Sequence, residues 1–190
     1  MNWLAHLYLA ESSPAFRIGS LLPDLAPASA LAGLPPEFQR GIRQHRQIDA
    51  FTDSHPIVRN SIRRLDPPFR RFGGILVDVF YDHVLARNWT SWSPVPLSEF
   101  TAEIYGAFEQ HQDDIPPEVH ARLSQMKSGD LLSSYGTSSG VAAALDRLAS
   151  RLSRPVPLAD AVSVLETKYD TFHAEFQTFF PELRAHVVLS

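Results

Sequence analysis

The sequence predicts an all-α fold, on three observations. Apolar residues recur at three- and four-residue spacing through eight segments. No run of alternating apolar and polar residues rich in Val, Ile and Thr is present, and no Asn-Gly or Asp-Gly hairpin signal. The prolines lie at the boundaries of the helical segments, where a first-turn proline is tolerated; inside a helix each would cost about 3 kcal/mol. At 190 residues, 44% apolar and 11% aromatic, the chain suits one compact domain spanning residues 1–190.

Each segment has its own signature. Segment 2–11 carries Trp3, Leu4, Leu7 and Leu9, with Asn2 and His6 sharing a face. Gly19-Ser-Leu-Leu-Pro-Asp24 ends a short apolar stretch with an acid. Pro35-Pro36 opens 36–52, Pro56 opens 56–65, and Pro67-Pro68 separates that segment from 69–88. Pro94 and Pro96 precede 97–112, and Pro116-Pro117 opens 117–127. A turn around Tyr135-Gly-Thr, read as a loop and not as the seat of a serine nucleophile, leads into 138–152. Pro155 and Pro157 precede 158–180, where Leu158, Val162, Leu165, Tyr169, Phe172, Phe176 and Phe180 form one stripe. That stripe, about six turns long, reads as core packing with His173 at its boundary.

Composition narrows the chemistry. There is no cysteine, which excludes a disulfide framework, a thiolate zinc site, an iron–sulfur cluster and a cysteine nucleophile. Any metal must be held by His, Asp, Glu, Asn or Gln, donors that suit Mn, Mg, Fe or a His-rich Zn site. Neither a Gly-rich phosphate loop nor a G-x-S-x-G elbow occurs. No stretch approaches the roughly 18 apolar residues of a membrane span. The opening residues show no basic leader and no cleavage site, so a cytoplasmic protein is expected.

Charge is uneven. The formal net charge is −4, yet residues 40–71 carry eight arginines against Asp49, Asp53 and Asp66. That basic stretch suits a negatively charged partner reached by long-range steering. It equally suits a solvated helix face in a chain with fifteen Arg and two Lys. Aromatics are not interleaved with these arginines, so no nucleic-acid platform is expected.

Three groups of ionisable residues sit inside apolar helices. In 72–85, Asp78 and Asp82 lie one turn apart on a common face and His83 sits on its shoulder. Their apolar neighbours demand burial on nearly every side, so the acids must be paired, protonated or bound to a cation. His45, Asp49 and Asp53 recur every four residues along the second. They can chelate a metal or form a His–carboxylate pair; a surface ladder with Arg43 and Arg46 is the competing reading. His6 and Asp24, taken singly, read as a satisfied core histidine and a helix-ending acid.

These stretches together resemble a known family. Met1-Asn-Trp-Leu-Ala-His6-Leu, Gly19-Ser-Leu-Leu-Pro-Asp24, Gly41-Ile-Arg-Gln-His45-Arg-Gln-Ile-Asp49-Ala-Phe-Thr-Asp53, Asp78-Val-Phe-Tyr-Asp82-His83-Val-Leu-Ala-Arg87-Asn-Trp89 and Ser150-Arg151 look like the acyl carrier protein phosphodiesterases. That family is an atypical branch of the HD-type metal-dependent phosphohydrolases. The likeness runs in order from residue 1 to about 180. It implies an all-helical, HD-like bundle domain and a divalent metal, Mn²⁺ with Mg²⁺ as the alternative. The implied reaction is hydrolysis of the phosphodiester joining 4'-phosphopantetheine to a serine of holo acyl carrier protein. Asp24, His45, Asp49, Asp82 and His83 fall on metal-shell positions, and His6 and Asp78 on neighbouring catalytic ones. Arg46, next to His45, is placed to hold a non-bridging oxygen. Arg59, Arg63, Arg64, Arg70 and Arg71 are assigned to steering the acidic carrier protein, on charge alone.

The chain departs from the family's usual pattern at Ser20, at Pro23, at Tyr8 and in the Asp-His order of the dyad. Proline before Asp24 disfavours helix at Leu22 and alters how Asp24 approaches the site. Two competing readings are an HD-type phosphohydrolase acting on a nucleotide or other small phosphate ester, and a carrier-protein-binding module without turnover. All seven candidate acids and histidines are present, which favours an enzyme.

Overall fold

The computed structural model describes residues 1–153 and 156–189, and no strand occurs among them. The chain runs α1 (Trp3–Leu9), α2 (Pro14–Gly19), α3 (Leu22–Leu25), α4 (Ala28–Leu31), α5 (Pro36–Ser54), α6 (Pro56–Arg63) and α7 (Gly73–Arg87). It continues through α8 (Leu97–Gln110), α9 (Pro117–Ser128), α10 (Leu131–Ser134), α11 (Ser138–Ala149), α12 (Val162–Thr167) and α13 (Tyr169–Leu189). Proline occupies the first turn of α2, α3, α5, α6 and α9, where the missing N–H has no partner to lose. None of the described helices is long and apolar enough to cross a membrane.

Three expectations change. Leu22 starts α3 in spite of Pro23, because the proline falls inside the first helical turn. Residues 69–72 form a 3₁₀ turn ahead of α7 instead of its first turn. The stripe over 158–180 is three elements, a 3₁₀ turn at Leu158–Ala161, then α12, then α13, with the chain bent at Lys168. Tertiary pairing overrides the periodicity there: the Tyr169 hydroxyl accepts a 2.8 Å hydrogen bond from Asn88, and the Arg87 guanidinium lies 4.4 Å from its ring centre. Helix α13 then continues through the exposed Pro181 to Leu189. Burial of Phe172, Phe176, Phe179, Phe180 and Leu183 carries it past the lost hydrogen bond, at about 1.5–3 kcal/mol for each buried side chain.

Helix α7 is the axis of the core. Leu76, Val77, Val79, Phe80, Tyr81, Val84 and Leu85 are all buried, and α1, α6, α11 and α13 pack around it. Helices α2 and α5 cross at main-chain distance. A Cβ at Gly41 would lie 2.1 Å from the Phe16 carbonyl oxygen, and one at Gly19 would lie 2.3 Å from that of Phe38. Only glycine fits at either position, and the crossing carries the Ser20 carbonyl onto α5.

Candidate active site

The site starts from that crossing. The Ser20 carbonyl oxygen lies 2.8 Å from Nδ1 of His45. A carbonyl only accepts, so Nδ1 carries the proton and Nε2 faces the cleft. There Nε2 meets Asp49 Oδ2 at 3.0 Å and Asp24 Oδ1 at 3.7 Å. Burial works to lower the basicity of His45, but its hydrogen bond to Asp49 and the charge of Asp24 raise it overall.

His6, on α1, stacks on His45 with ring centres 4.0 Å apart and planes 15° from parallel. Its Nε2 is 3.1 Å from Asp49 Oδ1 and 3.2 Å from the Met1 carbonyl. Both partners are acceptors, so Nε2 carries the proton and Nδ1 is a buried lone pair without a partner. Burial pushes His6 down to about 4, so the ring is neutral at pH 7. Burial alone would raise Asp49, but its bonds to His45 and His6 hold it well below the usual carboxylate range.

Asp78 comes from α7 and faces Asp49 across the Met1 amino group, which lies 3.1 Å from Asp78 Oδ1 and 3.4 Å from Asp49 Oδ1. Burial raises Asp78 despite that cation. Asp24 Oδ2 accepts from the Trp3 indole at 3.0 Å. Asp24, Asp49, Asp53 and Asp78 line one cleft of about 250 Å³ with Trp3 and Arg151. Donor atoms of His6, His45 and Asp49 all lie within 4.8 Å of one another, the one such grouping among the described residues.

The other sequence candidates lie elsewhere. Asp82 is fully buried and caps α1: its oxygens accept the backbone N–H groups of Leu4 at 2.7 Å and Ala5 at 3.2 Å. Both oxygens are therefore turned to the main chain and not to the cleft, and burial pushes the carboxyl up to about 7. His83 donates from Nδ1 to the Tyr135 carbonyl at 2.7 Å and packs against Tyr169, apart from the His6–His45–Asp49 group. Arg46 is exposed on α5, outside the lining of the cleft.

The five steering arginines divide. Arg64 pairs with Glu175 at 2.7 Å, and Arg70 donates to the carbonyls of Leu65 and Arg63. Arg59 donates to the Asp53 carbonyl at 3.2 Å, beside the cleft, while Arg63 donates to Asn60 and Arg71 lies over Phe72. Two lining residues, Trp3 and Arg151, were not singled out as site members by sequence reasoning, and Asp53, noted there only in the ladder with His45 and Asp49, joins the lining. Asp53 had a visible signal in its four-residue spacing from Asp49. Trp3 and Arg151 had none in spacing, only their place in the stretches at residues 1–7 and 150–151 that carry the family resemblance; the tertiary fold brings each to the cleft of Asp24.

Residues 1–183 match the family described as acyl carrier protein phosphodiesterase. The chain belongs to that family. Among proteins bearing the family's name, one from Enterobacter sp. (strain 638) is 33% identical over 184 residues, 96% of this chain and 95% of its own. One from Escherichia coli O45:K1 (strain S88 / ExPEC) gives the same figures. A Salmonella dublin phosphodiesterase of the same name is 33% identical over 186 residues, 97% of this chain and 96% of its own. No solved structure matches the chain. For a phosphodiesterase, the cleft offers four carboxylates and an arginine in its lining, with His45 Nε2 buried 3.0 Å behind Asp49.

Proposed function

We propose that the protein hydrolyses the phosphodiester between 4'-phosphopantetheine and a serine of holo acyl carrier protein, giving apo carrier protein and free 4'-phosphopantetheine in the cytoplasm. The observation that carries this reading is the convergence of His6, His45 and Asp49 at an acid-lined cleft in a chain of this family.

The donor set fits a hard divalent cation, Mn²⁺ with Mg²⁺ as the alternative. His45 and Asp49 would hold it, with Asp24 and His6 beside them. The fit rests on the orientation of His45, whose Nε2 is turned by Ser20 toward two carboxylates. It rests equally on four carboxylates sharing one cleft, a concentration of charge that calls for a cation. Such a cation, when bound, polarises a phosphoryl oxygen and lowers the pKa of its water.

The side chains supply the rest. The Ser20 carbonyl fixes the His45 tautomer, and His6 Nε2 donates to Asp49 Oδ1 and holds that carboxylate in place. Asp78, raised by burial, is the carboxyl placed to take or return a proton, through the oxygen that does not accept from the Met1 amino group. Arg59, exposed and bonded to the Asp53 carbonyl, and Arg63, exposed one turn further along α6, steer the acidic carrier toward the cleft.

Mass spectrometry of holo acyl carrier protein incubated with this protein and Mn²⁺, with and without EDTA, tests the reading. Metal-dependent loss of the phosphopantetheine mass, abolished by Asp49→Ala, is the expected result. A folded, Mn²⁺-binding protein that leaves the carrier intact overturns the substrate, and nucleotides and small phosphate esters are then assayed.

A further inference from the structure

The cleft has a second, cationic wall. Arg151 follows the end of α11 and lines the cleft beside Asp24. Arg147, one turn earlier, joins Arg151, Asn2, Trp3 and Tyr135 around a small side pocket opening next to it. Arg122, on α9, donates from Nη1 to the Leu25 carbonyl at 2.8 Å, so a third guanidinium is anchored one residue past Asp24.

These guanidinium groups face carboxylates across the cleft without a direct salt bridge. Neither Arg147 nor Arg151 forms an ion pair among the described residues. Arg147 Nη2 is buried and has no hydrogen-bond partner among the described residues. Burial and the facing charges of Arg122 and Arg147 depress Arg151, with Asp24 opposing them. Unpaired guanidinium groups drawn together at a pocket, one with a buried orphan donor, are the arrangement that an oxyanion satisfies through charge-assisted, often bidentate hydrogen bonds.

We propose that Arg147 and Arg151 form the seat for the phosphate of the substrate, holding its non-bridging oxygens against the carboxylate wall. Asp24 joins the two halves. Its Oδ1 lies 3.7 Å from His45 Nε2, and Arg151 lines the same cleft, so a phosphate on the arginines is presented to the His45–Asp49 group. Arg46, exposed on the outer face of α5, is replaced in this role. The seat rests on the phosphodiesterase reading of the cleft, yet it is testable without turnover.

The probe is free 4'-phosphopantetheine, titrated into the full-length protein by calorimetry, with unphosphorylated pantetheine as the control. Binding that weakens about tenfold or more in Arg151→Gln and in Arg147→Gln, with the weak pantetheine binding unchanged, is the expected result. Arg151→Lys, which keeps the charge and loses the fork, falls between wild type and Arg151→Gln. Equal binding of phosphopantetheine by wild type and a folded Arg151→Gln variant overturns the seat, as does wild-type protein that binds the phosphorylated and unphosphorylated forms alike. A variant with a raised KM for holo carrier protein and undiminished phosphopantetheine binding also overturns it, assigning the arginines to protein docking. Arginine-dependent phosphopantetheine binding by a protein that does not cleave holo carrier protein upholds the seat and removes the reaction.

Discussion

Asp82 holds Leu4. Its carboxylate, on the buried core helix α7, accepts the Leu4 backbone N–H at 2.7 Å and so pins the first turn of α1 to the centre of the molecule. His6 is two residues further along the same helix and stacks on His45. The acid thus acts on the site through α1, as a cap for N–H groups that no intrahelical partner satisfies.

Removing that cap separates positioning from ligation. Asp82→Ala leaves two buried donors unsatisfied and costs about 2–3 kcal/mol, read by chemical denaturation. Asp82→Asn keeps one acceptor and loses less. The folded Asp82→Asn variant still responds to Mn²⁺; loss of that response, with the fold intact, would return Asp82 to the ligand set.

Metal loading is readable as stability. A ligand present at 100 times its Kd adds about 2.7 kcal/mol, a rise in Tm of about 5–10 °C for a chain this long. Mn²⁺ produces this rise in wild type and in His83→Gln, EDTA reverses it, and Asp49→Asn and His45→Gln abolish it. An unchanged shift in Asp49→Asn contradicts the assignment.

The crossing of α2 and α5 tolerates no side chain at Gly41. A methyl group there meets the Phe16 carbonyl oxygen at 2.1 Å, so the helices must separate. Gly41→Ala costs about 3 kcal/mol, the upper range for overpacking. It lowers Tm by about 10 °C, and it lowers kcat beyond what the unfolded fraction explains, because Ser20 no longer reaches His45.

The basic stretch splits into a docking part and a structural part. The double variant Arg59→Glu, Arg63→Glu raises KM for holo carrier protein and flattens its dependence on salt, with kcat unchanged. Arg64→Ala acts on the fold instead, since Arg64 pairs with Glu175, which also accepts from the buried Ser61. Its cost is about 1 kcal/mol. An unchanged KM in the double variant ends the steering role.

Much of the fold is legible in the sequence. Helices α5, α6 and α9 announce themselves by proline at their first positions and by apolar spacing beyond it. Helices α2, α3, α4 and α10 are four to six residues long, too short for a helical period to show. In the site, His45 and Asp49 are readable because one helix sets their spacing. Asp82 and His83 signal that they need partners, but burial alone does not distinguish a cation from a backbone amide; the fold supplies Leu4, Ala5 and the Tyr135 carbonyl. Arg151 becomes part of the cleft only when α11 docks against α7, a long-range event that no local pattern records.

The seam between α2 and α5 also has a kinetic meaning. Its tightest contacts are main chain on main chain, and the Ser20 carbonyl reaches His45 only while it is closed. Local opening of this one pair of helices disarms the site without melting the phenylalanine core of α13. Amide exchange at the Ser20 N–H, which is bonded within α2 to the Phe16 carbonyl, reports fraying of that helix end, the local motion that carries the Ser20 carbonyl away from His45.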